Sequence, residues 1–224
     1  MRNVIIIIPA YNESTVIADV VSRVKKEGYE NVVVIDDCST DNTAQEAKKA
    51  GAKVITHKLN QGAGGATRTG LQYAMKQKVD YAITLDADGQ HDPKDIPKLV
   101  NAAKKYDVVI GSRMIKSKGM PLRRKVLNTG GSILTFLLYG LYVRDSQSGF
   151  KLFTKKALPH IKITQNRFEF CSEIIYRIKK GKLSYTEVPI KTIYTPYSLS
   201  KGQHTFNALF MLKRMIWTRF RLHK

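Results

Sequence analysis

Asp86 and Asp88 stand one residue apart after the apolar run Tyr81-Ala82-Ile83-Thr84-Leu85, and Gly89, Gln90 and His91 follow at once. Two carboxylates and an amide oxygen on one tight turn form an all-oxygen donor set. Such a set suits a hard divalent cation, Mg2+ or Mn2+, and leaves its remaining positions to phosphate oxygens and water. The preceding run has strand length and strand composition, so it reads as a buried strand that carries acid to its carboxyl end. In an open parallel α/β sheet, that is the end where ligands bind. The same two aspartates could instead cap a helix or close an Asx turn, so the rest of the chain has to decide.

Acids, amides and arginines recur where the other strands should end: Glu13 after the first, Asp37 after the second, Arg113 after the fifth. In a parallel sheet these positions share one edge with Asp86, Asp88 and Gln90. The inventory fits a nucleoside diphosphate. Carboxylates accept from base N–H groups and ribose hydroxyls, while a metal and an arginine neutralise the pyrophosphate. The glycine-rich stretch Gly62-Ala63-Gly64-Gly65-Ala66-Thr67 is not a dinucleotide fingerprint, because Thr67 stands at the third glycine and the stretch follows the third strand. There is no Walker A motif either, so hydride transfer and ATPase chemistry lack support.

The elements that must position these residues can be read in order. Val4 to Ile8 is a continuous apolar run, expected of a strand covered on both faces. Ser14 reads as the N-cap of a helix with Val16, Ile17, Val20, Val21 and Val24 on one face, ended by Lys25, Lys26 and Gly28. Val32 to Ile35 is a second strand, Ser39-Thr40-Asp41 opens a short helix to Gly51, and Lys53 to Thr56 is a third strand. The glycine-rich stretch leads into a helix over 66–76. Asp92-Pro93 starts another with Ile96, Leu99, Val100 and Ala103 inward, and 108–111 is the fifth strand. This alternation predicts a mixed α/β fold with a doubly wound, mainly parallel sheet.

Beyond Arg113 the pattern changes. Residues 115–124 read as a basic loop and 126–143 as a helix with an apolar centre over 133–142, shorter than the roughly 20 residues a membrane span needs. Two readings stay open for it, a core helix or a helix at a membrane interface. Residues 147–153 read as a strand, 168–180 as a helix and 184–190 as a strand. Residues 205–221 read as a basic amphipathic helix carrying Trp217, Phe206, Phe210 and Phe220, either docked on the sheet or lying on a membrane surface. The start, Met1-Arg2-Asn3-Val4, runs into a strand with no apolar signal region. Cys38 and Cys171 are too few for a disulfide framework, so a reducing compartment is expected.

The net charge of +20 is unevenly placed. Residues 1–107 hold 15 Lys and Arg against 14 Asp and Glu, whereas 108–224 hold 23 against 4. The second half must therefore face something anionic: nucleic acid, an anionic membrane surface or a phosphorylated ligand.

Six motifs occur in order: Pro9-Ala10-Tyr11-Asn12-Glu13, Ile35-Asp36-Asp37-Cys38-Ser39-Thr40-Asp41, Asn60-Gln61-Gly62-Ala63-Gly64, Asp86-Ala87-Asp88-Gly89-Gln90-His91, Gly111-Ser112-Arg113 and Asp145-Ser146-Gln147-Ser148-Gly149-Phe150-Lys151. Over residues 3–202 the chain resembles glycosyltransferase family 2, and within it the polyprenyl-phosphate glycosyltransferases of the dolichol-phosphate mannose synthase type. The resemblance implies a GT-A fold over 1–202, with a donor-binding half over 1–113 and an acceptor and membrane-facing half over 114–202, followed by a basic helix over 203–224. It implies inverting transfer of a hexose from a GDP- or UDP-sugar to a dolichyl or undecaprenyl phosphate, with Mg2+ or Mn2+. It also implies peripheral contact with the cytoplasmic face of a membrane, direct or through a membrane-protein partner, and no nucleic acid.

Carried over by position, Pro9, Ala10, Tyr11, Glu13, Ile35 and Asp37 would hold the nucleoside. Asp86, with Ala87 beside it, would touch the sugar or its metal, and Asp88 and Gln90 would bind the metal. Arg113 and Arg124 would contact phosphates, and Lys201 would close over the donor. Thr195 stands where the family has an arginine and Asn128 where it has a serine. A phosphate monoester is already an anion near neutral pH, so its attack on the anomeric carbon needs cations and no proton acceptor. Transfer to a hydroxyl, as in a family 2 enzyme extending a saccharide or glycolipid, would need a base. Asp145 and Glu169 are the candidates, and Asp145 has an alternative role as partner of a nearby arginine. Asp86, Asp88, Arg113 and Asp145 thus make up the expected catalytic set. His91 reads as a turn residue that supports it. A basic nucleic-acid-binding module is the competing class, and the acidic rim speaks against it, because carboxylates repel phosphate unless a metal intervenes; a catalytically dead lipid-binding module is disfavoured by the complete Asp86, Asp88 and Gln90 set.

Overall fold

β1 (Val4–Ala10) is the strand on which the sheet is built: Ile5, Ile6, Ile7 and Ile8 have no exposed surface. Both of its faces are covered, so its sequence is continuously apolar. The computed structural model describes residues 3–116, 120, 122–195 and 197. Within them lies a seven-stranded sheet of order β3 (Lys53–Thr56), β2 (Val32–Asp36), β1, β4 (Tyr81–Thr84), β6 (Lys151–Thr154), β5 (Val108–Ser112), β7 (Tyr185–Pro189). Neighbours pair in parallel, except that β6 runs antiparallel to β4 and β5. That reversal pairs Lys151 with Thr84, so the start of β6 meets the end of β4.

Side chains alternate across the sheet. On one face Ile5, Ile7, Val33 and Ile35 pack with Ala66 and Leu71 of α3 (Gly62–Lys76) and Ile174 and Ile178 of α6 (Phe170–Lys180). On the other, Ile6, Ile8, Val32 and Val34 meet Val20 and Val21 of α1 (Ile17–Lys26) and Ile96 and Leu99 of α4 (Ile96–Ala102). Each Val, Leu or Ile among them, removed from water, contributes roughly 1.5–3 kcal/mol.

Three expectations are corrected at the helix ends. Ser14 does not cap α1, which begins at Ile17; its N–H donates to Asp41 Oδ2 at 3.1 Å. Helix α3 begins at Gly62 and not near Ala66, because the Asp37 carboxylate accepts from the N–H groups of Gln61 and Gly62 at 2.8 and 2.6 Å. The Asn166 carbonyl accepts from Gly64 at 2.8 Å, and a Cβ on Gly64 would lie 2.1 Å from the Gln165 carbonyl oxygen. These glycines admit the 165–166 backbone. Finally, α5 (Leu122–Tyr139) starts inside the expected loop, which places Arg124 in its first turn.

Asp41 ties the loop after β1 to α2 (Thr43–Lys49): besides Ser14, it accepts from the Thr43 N–H at 3.0 Å and from the Thr43 hydroxyl. Slight burial opposes its ionisation, but the hydrogen bonds from Thr43 and Ser14 outweigh this and hold the carboxyl at about 2, against an ordinary 3.8. The folded value lies below the unfolded one, so this stabilisation is complete above roughly pH 4 and is lost as the pH falls through about 2. Melting temperatures measured from pH 7 to pH 2 should show a drop in that acid window. Asp41→Asn should melt lower at pH 7 and show a flatter drop; an unchanged profile would remove Asp41 from the account.

Helix α5 buries one side and exposes much of its apolar surface. Ser132, Thr135 and Tyr139 are buried, while Leu122 (75% exposed), Val126 (62%), Ile133 (49%) and Leu137 (73%) face outward. Its inner side is held by hydroxyls. Thr135 Oγ1 lies 3.0 Å from Ser172 Oγ and Ser132 Oγ donates to the Arg144 carbonyl at 3.0 Å. Among the described residues no helix is long and apolar enough to cross a membrane. Lys201 and the expected helix over 203–224 lie outside the described residues.

Candidate active site

The chain leaves β4 after Thr84 and turns at Gly89, whose φ is +75°. Asp88 Oδ1 accepts from the Gln90 N–H at 3.0 Å, so an Asx turn does form. The Asx turn and the oxygen donor set are one structure, since the turn holds Asp86, Asp88 and Gln90 together at the sheet edge.

The Asp86 side chain is 47% exposed, and His91 Nε2 lies 2.9 Å from its Oδ2. Enclosure opposes its ionisation, but the His91 hydrogen bond and the charges of His91, Arg113 and Lys151 outweigh that and hold the carboxyl below its ordinary value. Asp88 moves the other way: burial, then the Asp86 charge, raise it. Opposite shifts in adjacent acids mark a like-charged pair that a cation would relieve. His91 is 2% exposed and packs 5.2 Å from the Phe150 ring, and its Nδ1 is buried with no hydrogen-bond partner among the described residues.

Asp86 fits because residue 149 is glycine. A Cβ there would lie 2.0 Å from Asp86 Oδ1. Thr84 Oγ1 donates to the Gly149 carbonyl at 2.7 Å, and the buried Lys151 donates to the Ser148 carbonyl. The antiparallel direction of β6 delivers this backbone to the end of β4.

Arg113 follows β5 and meets Asp145 squarely. Its backbone N–H and Nε donate to Asp145 Oδ2 at 2.9 and 2.8 Å, and Nη2 donates to Oδ1 at 2.7 Å. Asp145 has no exposed surface. Burial opposes its ionisation, yet the Arg113 guanidinium holds its carboxyl below the usual range. Of the two roles open for Asp145, the geometry shows the arginine partner; a carboxylate enclosed and held by two guanidinium hydrogen bonds is a poor proton acceptor. Glu169, the other base candidate, is buried just before α6. Arg124 reaches across from α5, its Nη1 3.5 Å from Gln90 Oε1 and its guanidinium 5.6 Å from the centre of the Tyr194 ring.

At the other end of the rim, Pro9 and Ala10 close β1 and Tyr11 is 46% exposed. Glu13 Oε2 accepts from the Tyr197 hydroxyl at 2.6 Å. Ile35 and Asp37 lie alongside on β2 and its end, both buried. Asp37 stands on the rim as expected, but its carboxylate serves the fold: besides capping α3 it lies 2.7 Å from His57 Nδ1. Ala87 is buried within the turn after β4.

Among the described residues no three His, Cys, Asp or Glu side chains converge on one point. The turn offers two carboxylates and an amide, an open oxygen set that fits a hard cation whose remaining positions phosphate oxygens complete. Beside it a cavity of about 290 Å3 is lined by Lys98, Arg113, Lys116, Met120, Lys191 and Tyr194, a cationic and partly apolar wall. Sequence reasoning missed Lys151, Tyr194 and Tyr197. Lys151 sits in a motif already singled out, whereas nothing in the spacing signals the two tyrosines, because the chain after β7 returns to the site only through tertiary contacts. Ile193 N–H donates to the Gln90 carbonyl at 2.8 Å, and Thr192 bridges His91.

The sequence profile of glycosyl transferase family 2 matches residues 5–162. A UDP-N-acetylglucosamine–dolichyl-phosphate N-acetylglucosaminyltransferase of Methanococcus voltae is 43% identical, over 93% of this chain and 95% of that one. An undecaprenyl-phosphate mannosyltransferase of Micrococcus luteus is 29% identical, over 88% and 86%. Among solved structures, glucosyl-3-phosphoglycerate synthase of Mycobacterium tuberculosis, crystallised with Mn2+ and UDP, superposes with a TM-score of 0.71 at 17% identity, over 96% of this chain and 77% of that one. That likeness establishes the GT-A fold.

Proposed function

The chain belongs to glycosyl transferase family 2, and we propose that it moves a sugar from a nucleotide diphosphate donor to a polyprenyl phosphate, with inversion and with a divalent cation. The observation that carries this reading is the convergence of Asp86, Asp88, Gln90, Arg113 and Arg124 on one stretch of the rim, with Asp145 engaged by Arg113. Asp88 and Gln90 would hold the cation with Asp86, and when bound it supplies charge neutralisation to the departing diphosphate. Arg113 orients the diphosphate and shares its charge. Tyr11 and Glu13 line the nucleoside end. An acceptor that is itself an anion needs no base, which agrees with the enclosure of Asp145 and leaves the cationic cavity beside Arg113 to attract it.

The lipid half of the proposal rests on α5. Its outward stripe of Leu122, Val126, Ile133 and Leu137 is flanked by Arg123 and Lys125 in a half of the chain with 23 cations against 4 acids. An apolar face edged with cations suits the interface of an anionic membrane, from which a lipid phosphate could be drawn. The Methanococcus relative makes a UDP-N-acetylhexosamine the first donor to try, with UDP-glucose and GDP-mannose beside it.

The test incubates each labelled nucleotide sugar with polyprenyl phosphate and Mg2+ or Mn2+, then partitions the products. Label is expected in the organic phase with one donor, dependent on both lipid phosphate and metal. Label transferred equally well to a free saccharide without lipid phosphate would overturn the acceptor assignment.

A further inference from the structure

Residues 108–224 contain four acids, and two of them, Asp145 and Glu187, meet at one segment of backbone. Glu187 lies on β7, separated by β6 and β5 from β4 and the turn that follows it. Despite the excess of cations around it, its carboxylate makes no ion pair among the described residues. Instead each oxygen takes one backbone N–H: Oε2 from Arg144 at 2.9 Å and Oε1 from Asp145 at 3.1 Å. Two successive amides gripped by one carboxylate hold that peptide segment in place. The Asp145 side chain leaves the same segment and takes three donors from Arg113. Arg113 Nη1 makes no hydrogen bond among the described residues, and the side chain, 15% exposed, lines the cationic cavity.

We propose that Glu187 is a positioning residue of the active site: by fixing the amides of Arg144 and Asp145 it sets the Asp145 carboxylate and, through it, aims the Arg113 guanidinium at the donor diphosphate. This rests on the reading of the rim as a nucleotide-sugar site. A guanidinium forked onto a buried carboxylate has one orientation, so its outward edge is preorganised for phosphate. In Glu187→Gln the amide NH2 faces a backbone N–H, donor against donor, and the segment must shift.

The experiment titrates UDP and GDP in the presence of Mn2+ by calorimetry into wild type, Glu187→Gln, Arg113→Ala and the double variant, with Mn2+ alone as control. Glu187→Gln should weaken diphosphate binding by about tenfold, on the scale of one charge-assisted hydrogen bond. In the Arg113→Ala background the same change should cost less than about twofold, since coupled residues are not additive. Affinity for Mn2+ alone should stay the same. Equal weakening in both backgrounds, or none in either, overturns the relay. If neither nucleotide binds the wild type, the nucleotide-sugar reading falls and the relay falls with it. Should Glu187→Gln melt too low to titrate, Glu187→Asp takes its place in both backgrounds. It keeps the charge and shortens its reach, so the same loss in one background alone supports the relay and equal or absent loss overturns it.

Discussion

Asp88→Asn is expected to lower sugar transfer by roughly two to three orders of magnitude, the scale on which removal of one preorganised charge-stabilising group acts. It should also abolish Mn2+ binding measured by electron paramagnetic resonance in the absence of any sugar donor. Asn keeps the oxygen that accepts from the Gln90 N–H at 3.0 Å, so the turn itself survives. What disappears is a negative charge that burial and Asp86 disfavour. The melting temperature in a chelator should therefore rise, and only the metal site should fail. A fall in melting temperature with retained Mn2+ binding would make Asp88 a structural residue and remove the centre of the proposed function.

Gly149→Ala should be comparably damaging, by a different route. Its Cβ would sit 2.0 Å from Asp86 Oδ1, and the backbone cannot retreat easily, because Thr84 holds the Gly149 carbonyl and Lys151 the Ser148 carbonyl. The movable part is the Asp86 carboxylate, which must swing away and give up the His91 contact at 2.9 Å. We expect about a hundredfold loss of transfer, weakened Mn2+ binding, and a stability loss on the order of 1–3 kcal/mol from overpacking. Calorimetry on the metal-free protein and a Mn2+ titration check both. Full activity with normal metal affinity would show that Asp86 tolerates displacement and is not needed where it stands.

The two halves of the chain do opposite electrostatic work. The first supplies the carboxylates of the rim, which on the proposed function would hold a cation and read a nucleoside. The second supplies Arg113, Arg124 and the lysines of the cavity, which would face phosphate on the same reading. Two of the four acids in the basic half are linked to Arg113, Asp145 directly and Glu187 through the Asp145 backbone N–H. Neutral partners could hydrogen-bond there, but an anion holds a guanidinium more strongly in a buried place.

On its own the sequence determined the strand order along the chain, the doubly covered β1 and the rim, since apolar runs of strand length broken by acids are local patterns with a local physical cause. The position of Asp86, Asp88 and Gln90 followed from the same pattern. Helix starts were less legible: Ser14 has the chemistry of a cap, but Asp41 takes its N–H, and Gly62 begins a helix because Asp37, 25 positions earlier, accepts its N–H. Those choices are made by residues distant in sequence. Only the tertiary structure decided that β6 runs antiparallel, bringing Gly149 against Asp86, that Asp145 is enclosed by Arg113, and that α5 turns its apolar side outward. Direction, pairing and exposure belong to contacts between segments, and spacing within one segment carries no record of which partner it will meet.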